Sequence, residues 1–402
     1  MKTITPGILL AATGVGAGDL MTGTLAGLEV GLAILWAVVA GTLLKYALSE
    51  GIARWQLATG STVMEGAATK FGRWVPIFFL FYLTFFTVIV GRALVSACGV
   101  AGSAFYPLGD DDTSLFAWAA IHSAIGLALA LVGSFAFFER LMTALVGLMF
   151  VAVVGAACLV APDWTAIAAG LVPSVPPEGS HWLLAVLGGV GGTVTLLSYG
   201  YWIAEDKRRG IEGVQTCRLD LAVGNGMTAL FGMAVIVIGS QVELTAGGSR
   251  MALELADQLA EKTFPGARLV FLWGFWGAVF SSLLGVWQSV PYIFADAVDL
   301  LRGPNENLRR GRDLRRTGSY RAAVVAIAVV PLFFLGASVQ EIQLAFGIFA
   351  ALFLPLLAGA LLVMNNRRRW VGSDFVTPTI LNVLLGGALV LFGYLAVDQW
   401  WS

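Results

Sequence analysis

The sequence predicts an all-α polytopic membrane protein: two five-helix halves of inverted topology, each opening on a broken helix, with an eleventh helix appended. Three observations lead there. Hydrophobic residues make up 58% of the 402 residues and charged residues 12%, with a mean hydropathy of +0.83, whereas soluble domains carry about 25% charged residues. Apolar stretches long enough to cross about 30 Å of hydrocarbon recur along the whole chain. Two of them are interrupted by dense glycine runs, Gly14-Val15-Gly16-Ala17-Gly18-Asp19 and Gly188-Gly189-Val190-Gly191-Gly192-Thr193.

The apolar stretches fall at residues 6–28, 31–57, 74–101, 114–134, 140–161, 182–204, 218–240, 268–297, 320–337, 340–364 and 376–400. The first follows Lys2 as a signal peptide would, but its glycine-rich interior, Asp19 and the lack of a small-residue cleavage site predict a retained helix. Charge in the connecting segments sets the orientation. With the N-terminus in the cytoplasm, the outer side receives only Arg250, Lys262 and Arg268 of the 24 Lys and Arg residues. Lys45, Arg54 and Arg92 fall within spans and the remainder lie inside, the asymmetry expected of a correctly oriented inner-membrane protein. The C-terminus is then outside. The run Arg302 to Arg321 reads as an inner-leaflet anchor, and no motif around it suggests nucleic acid.

Cys98, Cys158 and Cys217 stand singly, as do His122 and His181, so neither a disulfide framework nor a zinc site is expected. No cofactor is expected either. The expected partners are the lipid bilayer and a small ion or solute, and no motif bears on oligomeric state. No nucleophile–base pair suggests an enzyme.

Glycines at small-xxx-small spacing can serve close helix packing alone. Here Gly14, Gly16 and Gly18 recur every second residue, and Gly191 and Gly192 are adjacent. That density predicts lost helical hydrogen bonding at Gly16 to Gly18 and at Gly189 to Gly192. In the topology above, span one runs outward and span six inward, so the breaks are antiparallel. Two halves follow, residues 1–161 and 182–364, with 376–400 as the added helix, which is the plan of the LeuT-like transporters. Paired breaks of this kind place a substrate site at the bilayer midplane.

The sequence also resembles a family. Ala53-Arg54-Trp55-Gln56-Leu57-Ala58-Thr59-Gly60 looks like the A-R-L-G-x-x-T-G segment of the natural-resistance-associated macrophage proteins, the Nramp metal transporters. Leu187 to Thr195 is similar to their L-G-x-x-G-A-T-V-M, and Val90-Gly91-Arg92-Ala93-Leu94 parallels I-G-T-A-I. The resemblance implies divalent cation transport. It also implies departures. The family's D-P-G-N, whose Asp and Asn hold the metal, reads Gly16-Ala17-Gly18-Asp19, its methionine falls at Thr195, and its Pro-His pair becomes Leu196-Leu197. Family acids associated with proton movement align with Phe85 and Val88, and a glutamine aligns near Ile348. Uncoupled transport of a hard ion is the expectation.

An aspartate in mid-helix costs about 2.5–3.5 kcal/mol on insertion scales, so Asp19 should face a cavity or partner. It can contact an ion or simply cap the second half-helix. Around it the candidate substrate or ion site comprises Gly16, Asp19, Gly192, Thr193, Thr195, Ser198 and Tyr199, with Asp19, Gly192 and Thr195 as candidate metal ligands. These are hard oxygen donors suited to Mg²⁺, Mn²⁺ or Na⁺. Ser281 and Ser282 form a possible second ion site, or bond their own helix. Glu50 and Arg54 have the spacing of a helical ion pair. Lys45 lies deeper, where it can pair with Glu50, stand in for a bound cation or snorkel inward. Glu205 and Asp206 suggest an inner vestibule or pairing with Lys207 to Arg209. The alternative cargo is a small organic solute such as an amino acid, carried by the same architecture with sodium at the serine pair.

Overall fold

The computed structural model describes the whole chain except residues 1–4, 17, 161–162, 176–178, 244–250, 304–312, 337 and 402. Lys2, Ala17, Arg250, Arg309, Arg310 and Arg312 therefore lie outside the described residues, and with them part of the basic run. Among the described residues every regular element is a helix.

In chain order these are α1 (Thr5–Gly14), α2 (Gly23–Val30), α3 (Leu35–Thr59), α4 (Val63–Phe71), α5 (Trp74–Phe105), α6 (Asp111–Val132), α7 (Phe135–Leu159), α8 (Trp164–Gly170) and α9 (Ser180–Gly189). There follow α10 (Ser198–Glu205), α11 (Gly210–Gly239), α12 (Met251–Lys262), α13 (Ala267–Arg302), α14 (Gly318–Val329), α15 (Val339–Asn365), α16 (Arg368–Val371) and α17 (Thr379–Trp401). Among the described residues, eight runs are long and apolar enough to cross a membrane, and Gly318–Phe334 and Thr379–Tyr394 are shorter apolar helices. Phe81, Phe85, Val132, Val151, Val383 and Val390 point out of the bundle, an apolar outer surface that fits lipid rather than water. The chain is a multi-pass integral membrane protein.

The helices track the expected spans with two differences. The stretches at 6–28 and 31–57 join after the first break into one helical run, Asp19–Thr59, turned at Gly31 (φ 63°, ψ −148°) through the 3-10 turn Gly31–Ile34. Helices α4, α8 and α12 lie in the expected connections, because short helices do not register as spans. Local chemistry sets many boundaries. Thr62, Asp110, Ser134, Asp163 and Thr317 accept backbone N–H bonds at the starts of helices, and Ser338 with Glu341 forms a reciprocal capping box.

Packing then brings the broken helices together. α13 lies against α5, α6, α7, α14 and α1, while α11 lies against α1, α2 and α3, and α15 against α9 and α17. Close approaches depend on glycine. A methyl group on Gly188 would sit 2.5 Å from the Gly347 carbonyl oxygen of α15, and one on Gly7 would sit 2.3 Å from the Asp220 carbonyl oxygen of α11. Below this, Glu50 Oε1 accepts from Arg54 Nε (3.0 Å) and Nη2 (2.9 Å), as the spacing predicts. Arg218 Nε of α11 donates to the same oxygen at 2.9 Å, a third member that sequence spacing does not reveal.

Candidate functional site

The first break follows α1, which ends at Gly14. Val15 and Gly16 bend, and the helix resumes as a π-helical turn, Gly18–Thr22, that leads into α2. Gly18 thus opens the second half instead of being unwound. The second break follows α9, which keeps Gly189 as its last helical residue, so unwinding starts one position later than expected. Gly191 (φ 77°) and Gly192 (φ 81°) occupy the left-handed region that only glycine enters freely, and Thr193 is irregular at φ −140°, ψ −99°. A 3-10 turn, Val194–Leu197, then starts α10. The breaks touch: a methyl group on Gly14 would lie 2.5 Å from the Gly191 carbonyl carbon and 2.9 Å from the Gly192 nitrogen.

Asp19 is 1% exposed. Its Oδ2 accepts the Gly16 N–H at 3.2 Å, and the Gly191 N–H of the other break also acts on the carboxylate, although Oδ1 makes no hydrogen bond of normal geometry. Capping and ligand binding are therefore compatible roles, one for each oxygen. On the same two broken helices, Thr13 Oγ1, Thr195 Oγ1 and Ser198 Oγ are also buried without partners, with Thr13 Oγ1 lying against Gly285 of α13. Leaving such groups unsatisfied costs about 1–3 kcal/mol each. Thr195 Oγ1 leans over Gly192, 2.7 Å from where a Cβ there would be, and Thr193 is buried beside them. Gly16 contributes backbone alone. A Cβ at this position would be 2.1 Å from Ser282 Cβ and 2.9 Å from the Ala278 carbonyl oxygen of α13, so the space a carboxylate would need is filled by α13.

Lys45, on α3, is fully buried and reaches this same break. Its Nζ donates to the Gly188 carbonyl at 2.9 Å and to the Val190 carbonyl, and its charge acts on Asp19. Glu50 is occupied by the two arginines. Lys45 therefore does not pair with Glu50; its ammonium is bound instead to carbonyls of the broken helix.

Tyr199 takes a different place from the hydroxyls above it. Its OH donates to Asp220 Oδ2 at 2.9 Å, and Asp220 also accepts from the Gly7 N–H at 2.7 Å and from Arg208 Nη1 at 2.9 Å. One carboxylate thus ties the start of α1, the α10 helix and the loop after it to α11. Arg208 also binds Asp206 at 2.8 Å, which realises the acidic pairing expected there. Burial alone would make Arg208 easier to deprotonate, but its bonds to Cys217 and Asp206 and the Asp220 charge outweigh that and raise its pKa. Nearby, Asp296 of α13 accepts from Thr62 (2.9 Å) and Tyr201 (2.8 Å).

A cavity of about 220 Å³ opens between α1, α7 and α10, lined by Pro6, Leu9, Phe135, Glu139, Trp202, Glu205 and Asp206. A smaller one shares Phe135, Trp202 and Glu205 and reaches Ser198, Gln288 and Ser289. Glu139, Glu205 and Asp206 thus line the larger cavity, and the smaller one, lined also by Arg315, reaches Ser198 at the start of α10. Ser281 Oγ donates to Ala278 O of its own helix (3.0 Å) and Ser282 Oγ to Thr13 O at the end of α1 (3.0 Å), so both hydroxyl protons are committed to backbone. Arg92 Nη1 points to Phe334 O at 3.4 Å, away from the breaks. Among the described residues no three His, Cys, Asp or Glu side chains form a metal-holding group.

Two broken helices meeting over buried oxygens within a helical membrane bundle define a LeuT-like transporter fold. The family model for natural resistance-associated macrophage protein-like (Nramp) proteins matches residues 7–402, and the chain belongs to that family. Among solved structures, the manganese transporter of Eremococcus coleocola is similar at 16% identity, covering 99% of this chain and 86% of that one with a TM-score of 0.75. MhsT in complex with L-phenylalanine is similar at 16% identity over 97% and 98% of the two chains, with a TM-score of 0.58. Mhp1, a nucleobase-cation-symport-1 family transporter, is similar at 13% identity over 98% and 93%, with a TM-score of 0.62. At these identities the likeness is one of fold. No curated protein sequence matches.

Proposed function

We propose that the chain carries a hard divalent cation, Mg²⁺ or Mn²⁺, across the inner membrane by alternating access about the two breaks. The observation that carries the reading is the buried Asp19 carboxylate at the first break, where the two breaks touch, with one oxygen making no hydrogen bond of normal geometry. Membership of the Nramp family supports it, as does the cavity lined by Glu139, Glu205 and Asp206. One carboxylate neutralises a bare divalent ion poorly, the more so with Lys45 close by. A cargo that keeps several of its waters, as Mg²⁺ does, suits such a site.

The proposal includes a cytoplasmic N-terminus, an outward C-terminus and eleven crossings, with Gly31 separating the first two. It treats 1–161 and 182–364 as inverted repeats, and it assigns no enzymatic step. Flux is taken to be independent of obligatory proton movement. Phe85 is 47% exposed on the outer surface of the bundle and Val88 is apolar, so neither position implied for a family acid offers a carboxylate.

A second reading, an organic solute with a carboxylate, is favoured by one observation: the positive charge of Lys45 at the break. Liposomes containing the purified protein separate the two. Mg²⁺ should compete with Mn²⁺ at comparable concentrations, without substrate-driven acidification. Thr195→Met, which puts sulfur where the chain has oxygen, should shift preference toward Cd²⁺ by about tenfold. Failure of every divalent cation while radiolabelled amino acid accumulates would replace the first reading with the second.

A further inference from the structure

The end of α9 has the construction of a monovalent cation site. A half-helix that stops at Gly189 leaves its last carbonyls without intrahelical donors, and the aligned peptide dipoles give that end partial negative charge. Unwound carbonyls of broken helices are where coupling cations bind in this architecture. Here the Gly188 and Val190 carbonyls converge on one donor, and a carboxylate, Asp19, acts on it from the opposite broken helix. The donor is the ammonium of Lys45, delivered from α3 on a side chain that is 0% exposed.

Burying a lysine at this depth costs about 2.5–3.5 kcal/mol on insertion scales, and the usual compensation is an acidic partner. The nearest acid on its own helix, Glu50, is held by Arg54 and Arg218, which leaves Asp19 as the acid that acts on Lys45. The lysine packs its stem against the break, with Cδ 3.5 Å from where a Cβ on Gly191 would be. We infer that the Lys45 ammonium is a tethered cation that fills the carbonyl site at the end of α9, so that no free monovalent cation binds there unless the lysine is removed. The inference concerns a different ligand from the cargo proposed above and is tested without any cargo.

Truncating Lys45→Ala removes the equivalent of propylammonium. Thermal unfolding of the purified variant in detergent should therefore show a saturable rise of about 2–4 °C with propylammonium chloride. Tetramethylammonium, which has no N–H to donate, and 1-propanol, which has no charge, should fail to produce it. The wild-type protein should show no saturable difference between sodium, potassium and choline chlorides. Equal effects of propylammonium and tetramethylammonium on the variant, or full rescue by 1-propanol, would overturn the inference. If Lys45→Ala does not fold, the wild-type arm decides: saturable stabilisation by Na⁺ or K⁺ would mean that the site is open despite Lys45, and indifference to both supports a filled site. Because the readout is unfolding, its failure leaves the proposed cargo untouched, and failure of cation flux leaves the tethered cation untouched.

Discussion

Gly14→Ala should abolish transport and destabilise the protein, the reverse of what helix propensity alone dictates. Alanine in place of a helical glycine ordinarily gains up to about 1 kcal/mol. Here the added methyl would lie 2.5 Å from the Gly191 carbonyl carbon, 2.7 Å from its oxygen and 2.9 Å from the Gly192 nitrogen. All three are backbone atoms in a segment already fixed by two positive φ angles, so neither side yields by rotating a side chain. Overpacking of this kind costs about 1–3 kcal/mol, and relief requires the two breaks to separate, which disperses the oxygens of the candidate site. Gly147→Ala is the control, since nothing lies within 4 Å of its would-be Cβ. Flux in liposomes and thermal unfolding should be lost and lowered for the first variant and unchanged or improved for the second. Equal behaviour of the two would show that the breaks do not bear on each other.

Glu50→Gln should produce the largest loss of stability of any single charge change. Glu50 and Arg54 side chains are 2% and 4% exposed, and the same Glu50 oxygen also serves Arg218. Glutamine retains an acceptor but leaves the Arg54 charge buried beside neutral groups, with only the Phe375 and Val376 carbonyls in reach at 3.5 and 3.2 Å. Removing one member of a buried pair costs about 3–5 kcal/mol. Arg218→Gln removes the partner that is 43% exposed and should cost about 1 kcal/mol or less. Denaturant unfolding in mixed micelles compares them, and a Glu50→Gln loss no larger than that of Arg218→Gln would remove the case for a buried ion pair.

What the sequence revealed and what it concealed divide along chain separation. The breaks were legible because their cause is local: only glycine takes the backbone through Gly191 and Gly192. The Glu50–Arg54 pair was legible for the same reason, as were the spans, which depend on composition over about 20 residues. The capping role of Asp19 toward Gly16 spans three positions. By contrast, Lys45 meets Gly188 across 143 positions, Gly7 meets Asp220 across 213, and Ser282 meets Thr13 across 269. No periodicity encodes such contacts. Tyr199 was grouped with Thr195 and Ser198 by proximity in sequence, yet one helical position sends it to Asp220 instead. The empty family position at Gly16 likewise became intelligible only when α13 was seen to occupy the space of the missing side chain.

The central claim is that Asp19 presents a free carboxylate oxygen to a cation where the two broken helices meet. Binding of Mn²⁺ to the detergent-purified protein, followed by loss of the free-ion paramagnetic resonance signal, tests it most directly. The wild-type protein should bind Mn²⁺ saturably, with displacement by Mg²⁺ at comparable concentration. Asp19→Asn keeps an oxygen to accept the Gly16 N–H and so should stay folded, while losing the charge and at least about tenfold in affinity, a change of about 1.4 kcal/mol. Undiminished Mn²⁺ binding by folded Asp19→Asn, or no saturable binding by the wild-type protein, would contradict it.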